Sequence, residues 1–366
     1  MKLAQRNGDN LAFVYPNHVY ENHIQQISFS IKNRYWDALT RRIDAKHLPK
    51  ILKDSKMNSA SLANYIYVPY NDDIAYNHFI NASFQYPELK ITVKKLPKDI
   101  TPQYLRSIEA EHGLLSLAFE QTSNGKYVGI PFVVPGGRFN EMYGWDCYFE
   151  SLGLLVDDRI DLAKAMIDNF VYEIEHYGRI LNANRTYYLT RSQPPFLTSL
   201  CLAVYEKLPK TTESKKWLKS VILTAIKEYN TIWMNKDHLT WTGLSRYYGG
   251  NYLGQPKEVE VGHYDVIYAR YAQKYKMDPK EFENAYFDGS INVPELDTFF
   301  LHDRSLRESG YDTTYRFGDD CRCADFVTVD LNSLLYKTEI DIARILAKEF
   351  NGTLITKNGL EEKSST

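Results

Sequence analysis

Residues 135–148 read Pro-Gly-Gly-Arg-Phe-Asn-Glu-Met-Tyr-Gly-Trp-Asp-Cys-Tyr. Two adjacent glycines after a proline permit a tight turn in which the backbone can approach a ligand closely. The rest of the stretch carries an arginine, two carboxylates and four aromatic rings, and charges of that kind need partners when they are buried. Aromatic rings cover the apolar C–H faces of a sugar, while charged side chains bind its hydroxyl groups. The stretch therefore predicts a carbohydrate site, with a buried structural charge network as the alternative.

A second polar cluster, residues 182–195, reads Asn-Ala-Asn-Arg-Thr-Tyr-Tyr-Leu-Thr-Arg-Ser-Gln-Pro-Pro. Two amides, two arginines, a glutamine and two tyrosines give this loop a high density of hydrogen-bonding groups. The two prolines stiffen its exit into the next helix. The cluster predicts ligand contacts, and the alternative is a loop that caps neighbouring helices.

A third cluster, residues 302–316, packs three arginines, two aspartates and a glutamate around a glycine turn. A glycosidase needs one carboxyl group that stays protonated near neutral pH. Nearby carboxylates raise the pKa of such a group and arginines lower it, so the pattern leaves the balance open. A surface ion-pair network is the alternative.

Between the second and third clusters, residues 243–258 are typical of a long loop, and Glu258 taken alone is interpreted as a solvated carboxylate.

These three clusters resemble the trehalases, the family that hydrolyses the α,α-1,1-linked glucose disaccharide trehalose, and within it the cytosolic neutral trehalases of fungi. The resemblance implies an (α/α)6 toroid, trehalose as the partner, and no metal or organic cofactor. It places the general acid at Asp312, with Asp303 and Glu308 as fallback carboxyl groups. It also implies that the sugar is contacted by Arg138, Trp145, Asp146, Asn182, Arg191, Ser192, Gln193, Glu258, Arg307 and Gly310.

Apolar residues that recur at intervals of three and four predict an all-α chain built from helical hairpins, in agreement with a toroid. The predicted helices cover residues 24–43, 102–119, 160–174 (with Gly178 just past the end), 196–207, 214–233 and 329–350. A short strand is expected at Ile91-Thr92-Val93, and residues 65–84 read as irregular. We expect residues 1–60 to form an N-terminal helical or irregular extension and residues 61–366 the N-terminal part of the toroid.

The resemblance covers roughly residues 65–350. Trehalases invert, so a second carboxylate must activate water on the face opposite the acid. In the family that residue lies in a Glu-Lys-Tyr setting, near a Gln-Trp-Asp-x-Pro signature, and neither string occurs here. The glutamates within residues 361–364 do not replace this second carboxylate. We therefore expect a toroid that is incomplete at its C-terminal side, little hydrolysis by this chain alone, and self-association through the uncovered face.

The composition of the 366 residues, with 44% hydrophobic residues and a net charge of −2, is that of an ordinary globular protein. Neither charge sign dominates, which argues against a nucleic-acid or membrane partner. No signal-like or membrane-spanning run is present, so a cytoplasmic location is expected. Two rival functions stay open: a sugar-binding or regulatory chain without turnover, and a toroid that acts on another α-glucoside.

Overall fold

The computed structural model describes residues 22–52, 63–250, 254–259, 262–312, 314–318, 321–355 and 361–363. They form two compact units that divide between Thr40 and Arg41. The first contains α1 (His23–Ser30), a π-helical turn (Ile31–Tyr35) and α2 (Trp36–Leu39), so the helix predicted over residues 24–43 is present but ends at Leu39. The predicted boundary at residue 60 lies outside the described residues.

The second unit starts with a small parallel sheet. The described elements of this region, up to residue 133, include helices and strands outside the sheet as well. They are β1 (Thr40–Arg41, at the division between the units), α3 (Leu48–Ile51), β2 (Asn64–Val68), α4 (Asp73–Gln85), β3 (Ile91–Lys95), α5 (Pro102–Ser107), β4 (Gly113–Leu115), β5 (Phe119–Gln121), β6 (Tyr127–Gly129) and β7 (Phe132–Val133). The strand order is β3-β2-β4, and Ile66 of β2 lies opposite both Val93 and Leu114. Strands β5 and β6 form an antiparallel hairpin.

Two predictions for this region were wrong and one is confirmed. The strand at residues 91–93 is present as part of β3. Residues 65–84, read as irregular, form β2 and α4, and the side chain of Asp72 caps α4 by accepting the Ala75 N–H at 2.9 Å. The helix predicted over residues 102–119 ends at Ser107, and its second half is replaced by a turn and by β4, which pairs with β2. A Cβ atom on Gly113 would lie 2.3 Å from the carbonyl oxygen of Tyr65, so only glycine allows that pairing distance.

Helices make up most of the remaining chain. They are α6 (Asp146–Val156), α7 (Ile160–Tyr177), α8 (Leu197–Lys207), α9 (Thr212–Glu228), α10 (Asp265–Tyr275), α11 (Pro279–Asp288), α12 (Pro294–Glu308) and α13 (Val329–Phe350), followed by the short strands β8 (Thr353–Ile355) and β9 (Glu361–Lys363). Helix α7 packs against α6, α8 and α9, and α8 also packs against α13. The predictions for α7, α8, α9 and α13 are confirmed, with a π-helical turn over Tyr229–Trp233 at the end of α9.

The sequence reading missed α6, α10, α11 and α12. Helices α10 to α12 pack around an aromatic core rather than an aliphatic stripe: Tyr264, Tyr268, Phe282 and Phe300. Helix α12 also carries His302 through Glu308, which are all buried. The surface ion-pair alternative for the first half of that cluster was therefore wrong.

Helix α6 leaves three apolar side chains exposed, Phe149, Leu152 and Val156, to 53%, 40% and 80%. Spacings of three and four place them along one side of the helix. Self-association through such a face stays a prediction. Of the helices in the described ranges, none combines the length and the apolar character that crossing a membrane requires.

Candidate active site

The first three predicted residues lie in the turn before α6 and at the start of that helix. Arg138 is exposed, and its guanidinium carbon lies 4.7 Å from the centre of the Phe139 ring. Trp145 immediately precedes α6, and its backbone N–H donates to Oε1 of Gln193 at 2.9 Å. Asp146 is the first residue of α6 and is half-buried.

The loop of residues 182–195 is joined to this turn along its backbone. The N–H of Gly144 donates to the carbonyl of Asn182 at 3.2 Å, and the N–H of Asn182 donates to the carbonyl of Arg191 at 3.0 Å. The side-chain amide of Asn182 donates to the carbonyl of Arg307 at 3.1 Å. Asn182 therefore connects its own loop to the end of α12, which lies 125 residues further along the chain.

Arg191 and Glu258 form a buried ion pair through Nη2 and Oε1, with 1% and 4% of their side chains exposed. The solvated interpretation of Glu258 was therefore wrong. Arg307 Nε lies 3.8 Å from the same carboxylate and 3.0 Å from Oδ2 of Asp303. The Tyr264 hydroxyl donates to Asp303 at 2.5 Å. Two arginines and two carboxylates thus compensate one another out of contact with water, as buried charges require.

The charge balance of this cluster extends to Asp312. Burial by itself would lower the pKa of Arg307, but the negative charges of Asp303, Glu258 and Asp312 contribute to holding it well above its usual value. Asp312 itself is exposed at the turn that follows α12. The predicted general acid therefore lies within electrostatic reach of a predicted substrate-binding arginine, and water reaches it.

Gly310 lies between the two, with a φ of +75°. A Cβ atom at this position would lie 2.7 Å from the indole ring of Trp145. The ring of Tyr311 contacts the same indole edge-on, with 5.7 Å between the ring centres. Trp145 is therefore held between its backbone bond to Gln193 and the turn at Gly310.

Replacing Gly310 with alanine should cost more stability than the same change at Gly318. Both glycines have a left-handed φ, of +75° and +79°, and alanine in that conformation costs roughly 1–2 kcal/mol. Only Gly310 has a ring in the way, since nothing lies within 4 Å of a Cβ atom on Gly318. Overpacking should add roughly 1–3 kcal/mol for Gly310→Ala. Urea unfolding measures both variants, and equal losses would contradict the contact with Trp145.

Three of the predicted binding residues keep buried polar atoms without a hydrogen-bond partner in the described structure. These atoms are Nε of Arg191, Oγ of Ser192 and Oε2 of Glu258. Buried groups of this kind are rarely left unsatisfied. They therefore represent hydrogen-bonding capacity that the described residues leave unused.

Glu141, within the first cluster, belongs to the structural alternative. Its carboxylate pairs with Arg185 at 2.7 Å, and both side chains are buried. The same carboxylate accepts the backbone N–H of Asn140 at 3.1 Å. The first cluster thus contains both a buried charge pair and, at Arg138, Trp145 and Asp146, groups that water reaches.

Two further features of the site were not predicted. Tyr264 had no distinguishing signal in the sequence, because it closes the charge cluster only through the fold. Burial and the charge of Asp146 raise the pKa of Glu150 to about 8, although a hydrogen bond with the Cys147 side chain acts in the opposite direction. A spacing of four from Asp146 on α6 was the available signal for this pair.

The predicted residues do not line the cleft of about 620 Å³ that lies beside residues 96–105 and includes Arg179, Thr190 and Gly250. Nor do the described residues hold a group of three or more His, Cys, Asp or Glu side chains arranged to bind a metal ion. The candidate site is the junction of the turn before α6, the loop of residues 182–195 and the end of α12.

Comparison with known proteins gives concordant matches. The family model described as trehalase matches residues 7–365. The cytosolic neutral trehalase of Saccharomyces cerevisiae is 45% identical over 96% of this chain and 47% of its own length, and that of Emericella nidulans is 46% identical over 91% and 45%. The chain thus spans about half the length of these curated relatives. The solved structure of neutral trehalase Nth1 from Saccharomyces cerevisiae superposes with a TM-score of 0.89 at 45% identity, and covers 94% of this chain and 64% of that one. The predicted (α/α)6 toroid type of fold is thereby confirmed.

Proposed function

This chain belongs to the trehalase family, and from that premise we propose that the protein hydrolyses α,α-trehalose to two molecules of glucose. Several relatives are named cytosolic neutral trehalases, so the proposal includes a cytosolic location. Trehalose carries no charge and many hydroxyl groups, which matches the mixed arginine, carboxylate and aromatic lining of the candidate site.

The observation that supports this proposal most directly is the meeting of three distant segments through the proposed binding residues themselves. Trp145 contacts Gln193 and the turn at Gly310. Asn182 contacts Arg307, and Arg191 contacts Glu258. A structural network alone would not require the partners to be the residues that the family resemblance selects.

We place the general acid at Asp312 because the fallback carboxylates are buried and Asp312 is exposed. Asp303 accepts hydrogen bonds from Arg307 and Tyr264. Burial would raise the pKa of Glu308, but His238, Arg179 and a backbone N–H bring it below its ordinary value. Glu308 is therefore held as a carboxylate, and both fallback groups are buried. Asp312, in contrast, is exposed and can reach a leaving oxygen.

In the proposed reaction Asp312 donates its proton to the bridging oxygen as the bond to one anomeric carbon breaks. Water attacks that carbon from the opposite face and loses a proton to a carboxylate set roughly 6.5–9.5 Å from the acid. Inversion at one of two α-linked carbons gives one β-glucose and one α-glucose. We propose that this base lies outside the present 366 residues, in the half of the relatives' length that the chain does not span.

The test is trehalose hydrolysis by two proteins: the 366-residue chain, and the same chain joined to the part of the Saccharomyces cerevisiae cytosolic neutral trehalase that follows the matched region. We expect turnover in the fusion and little in the chain alone. Proton NMR of the first products should show α- and β-glucose in equal amounts, since retention would give only the α anomer. Comparable turnover by the chain alone would contradict the proposed position of the base.

The same assay separates the rival functions. Trehalose binding without turnover in either protein would favour a sugar-binding or regulatory chain. Maltose that competes with trehalose for binding and is hydrolysed faster would favour another α-glucoside. Absence of both turnover and trehalose binding would contradict the proposed function.

A further inference from the structure

Glu308, the last residue of α12, has no exposed surface and makes three hydrogen bonds away from the reacting groups. Its Oε1 accepts the backbone N–H of Ser192 at 3.3 Å, and its Oε2 accepts that of Tyr248 at 2.6 Å. The Nε2 atom of His238 lies 3.2 Å from Oε2. Glu308 thus joins the end of the 182–195 loop to a second loop that lies near residue 248.

The other end of the same loop rests on two more buried glutamates. Glu228 accepts the N–H of Ile180 at 2.6 Å, and Glu173 accepts the N–H of Leu181 at 3.0 Å. Their exposed fractions are 4% and 1%. Successive backbone donors at the exit of α7 are therefore satisfied by side chains from the ends of α7 and α9, where no regular ladder is available to satisfy them.

Arg179, which precedes the loop, completes this group by contacting Thr190 within it. Its Nη1 donates to the carbonyl of Thr190 at 2.8 Å. Burial lowers the pKa of Arg179, while the charges of Glu308, Glu228 and Asp237 act in the opposite direction. The half-buried guanidinium of Arg179 is therefore within electrostatic reach of Glu308 and Glu228, which hold the two loop ends.

These contacts fix the loop that carries Asn182, Arg191, Ser192 and Gln193. Hydrogen bonds from backbone N–H groups to carboxylates are among the stronger ones in proteins. A displacement of about 1 Å at a site that positions substrate can cost roughly 100-fold in rate. The glutamates touch neither the proposed acid nor the exposed face of the site, so any effect on catalysis must pass through the loop.

We propose that Glu308 is a positioning residue that holds Ser192, and through it Arg191 and Gln193, in the geometry that binds the disaccharide. Glu173 and Glu228 hold the opposite end of the loop, and Arg179 holds Thr190. This inference rests on the proposed trehalose hydrolysis. It gives Glu308, until now only a fallback for the general acid, a positioning role that is separate from the sugar contacts implied by the family resemblance.

The first experiment is backbone hydrogen exchange in the 366-residue chain, which requires no sugar. The amides of Ser192 and Tyr248 should be protected although they lie in loops. Glu308→Gln should speed their exchange by about 10-fold or more, the effect of losing one hydrogen bond to a charged acceptor. Exchange at Ile180 and Leu181 should change little. Unprotected Ser192 and Tyr248 amides in the wild type would overturn the proposal even if the variant does not fold.

The second experiment is kinetic and uses the form that turns over trehalose. Glu308→Gln should raise KM by about 10-fold or more and lower kcat/KM by roughly 100-fold. A merely structural role would reduce the active fraction, and so the apparent kcat, while KM stayed at the wild-type value. Glu175→Gln is the matched control, because Glu175 lies on α7 two residues after Glu173 and pairs with exposed Lys227 instead of the loop.

The outcomes separate the two proposals. A wild-type KM in a folded Glu308→Gln protein, with wild-type turnover intact, would overturn the positioning role alone. Absence of wild-type turnover would overturn the proposed function and the positioning role with it. A raised KM together with faster exchange at Ser192, and neither change in Glu175→Gln, is the expected result.

Discussion

Asp312→Asn should lower kcat for trehalose by about 10²- to 10⁴-fold, because an amide cannot supply the proton that the leaving oxygen needs. KM should change little, since Asp312 is exposed and is not part of the buried Arg191–Glu258 contact. The measurement is steady-state hydrolysis by the fusion protein described above. Asp325→Asn is the control, because Asp325 is a partly exposed carboxylate paired with Arg322 in the same segment.

A second substrate tests the role of Asp312 and not only its importance. In α-glucosyl fluoride the leaving group departs without protonation, so Asp312→Asn should retain far more activity on the fluoride than on trehalose. An equal loss on both substrates would argue that Asp312 binds sugar instead of donating a proton. If trehalose hydrolysis survives the substitution, Glu150 is the next carboxyl group to test, because its pKa of about 8 keeps it protonated at neutral pH.

Local pattern was sufficient where a helix carries its own apolar line. Helix α13 begins and ends at the predicted residues, and α7 ends where Gly178, with a φ of +83°, caps it. In both helices, apolar residues at spacings of three and four, together with the residue that ends the helix, make the element recognisable from one short stretch of sequence. Helices α10 to α12 were not predicted, because they bury aromatic rings and, in α12, charged groups.

Contacts between distant segments could not be read from the chain. Nothing near Glu258 in sequence shows that it neutralises Arg191, 67 residues earlier, and a carboxylate in a polar loop is solvated more often than not. Glu141 is the opposite case. It lies in the cluster that most favours a sugar site, yet Arg185 occupies its carboxylate. Residue types in the sequence predicted which chemical groups are available. The fold determines which of the charged groups are neutralised by partners inside the protein.

The buried pair of Arg191 and Glu258 gives the other large expected effect. Glu258→Leu alone should lower the free energy of unfolding by about 3–5 kcal/mol, because it leaves a buried guanidinium without its partner. Combining it with Arg191→Met should restore most of that stability, since buried ion pairs can often be replaced by apolar side chains of similar size. Chemical denaturation of the wild type, both single variants and the double variant measures the coupling.

Stability and activity should separate in the double variant. If Arg191 and Glu258 bind trehalose through their unsatisfied Nε and Oε2 atoms, hydrolysis stays low although the protein is again stable. Arg185→Met with Glu141→Leu is the matched control, because that pair is equally buried and lies outside the proposed binding set. The control should recover both stability and activity. Recovery of activity by Arg191→Met with Glu258→Leu would instead show that this pair only holds the loops together, and the sugar contacts would then fall to Arg138, Trp145, Asp146 and Arg307.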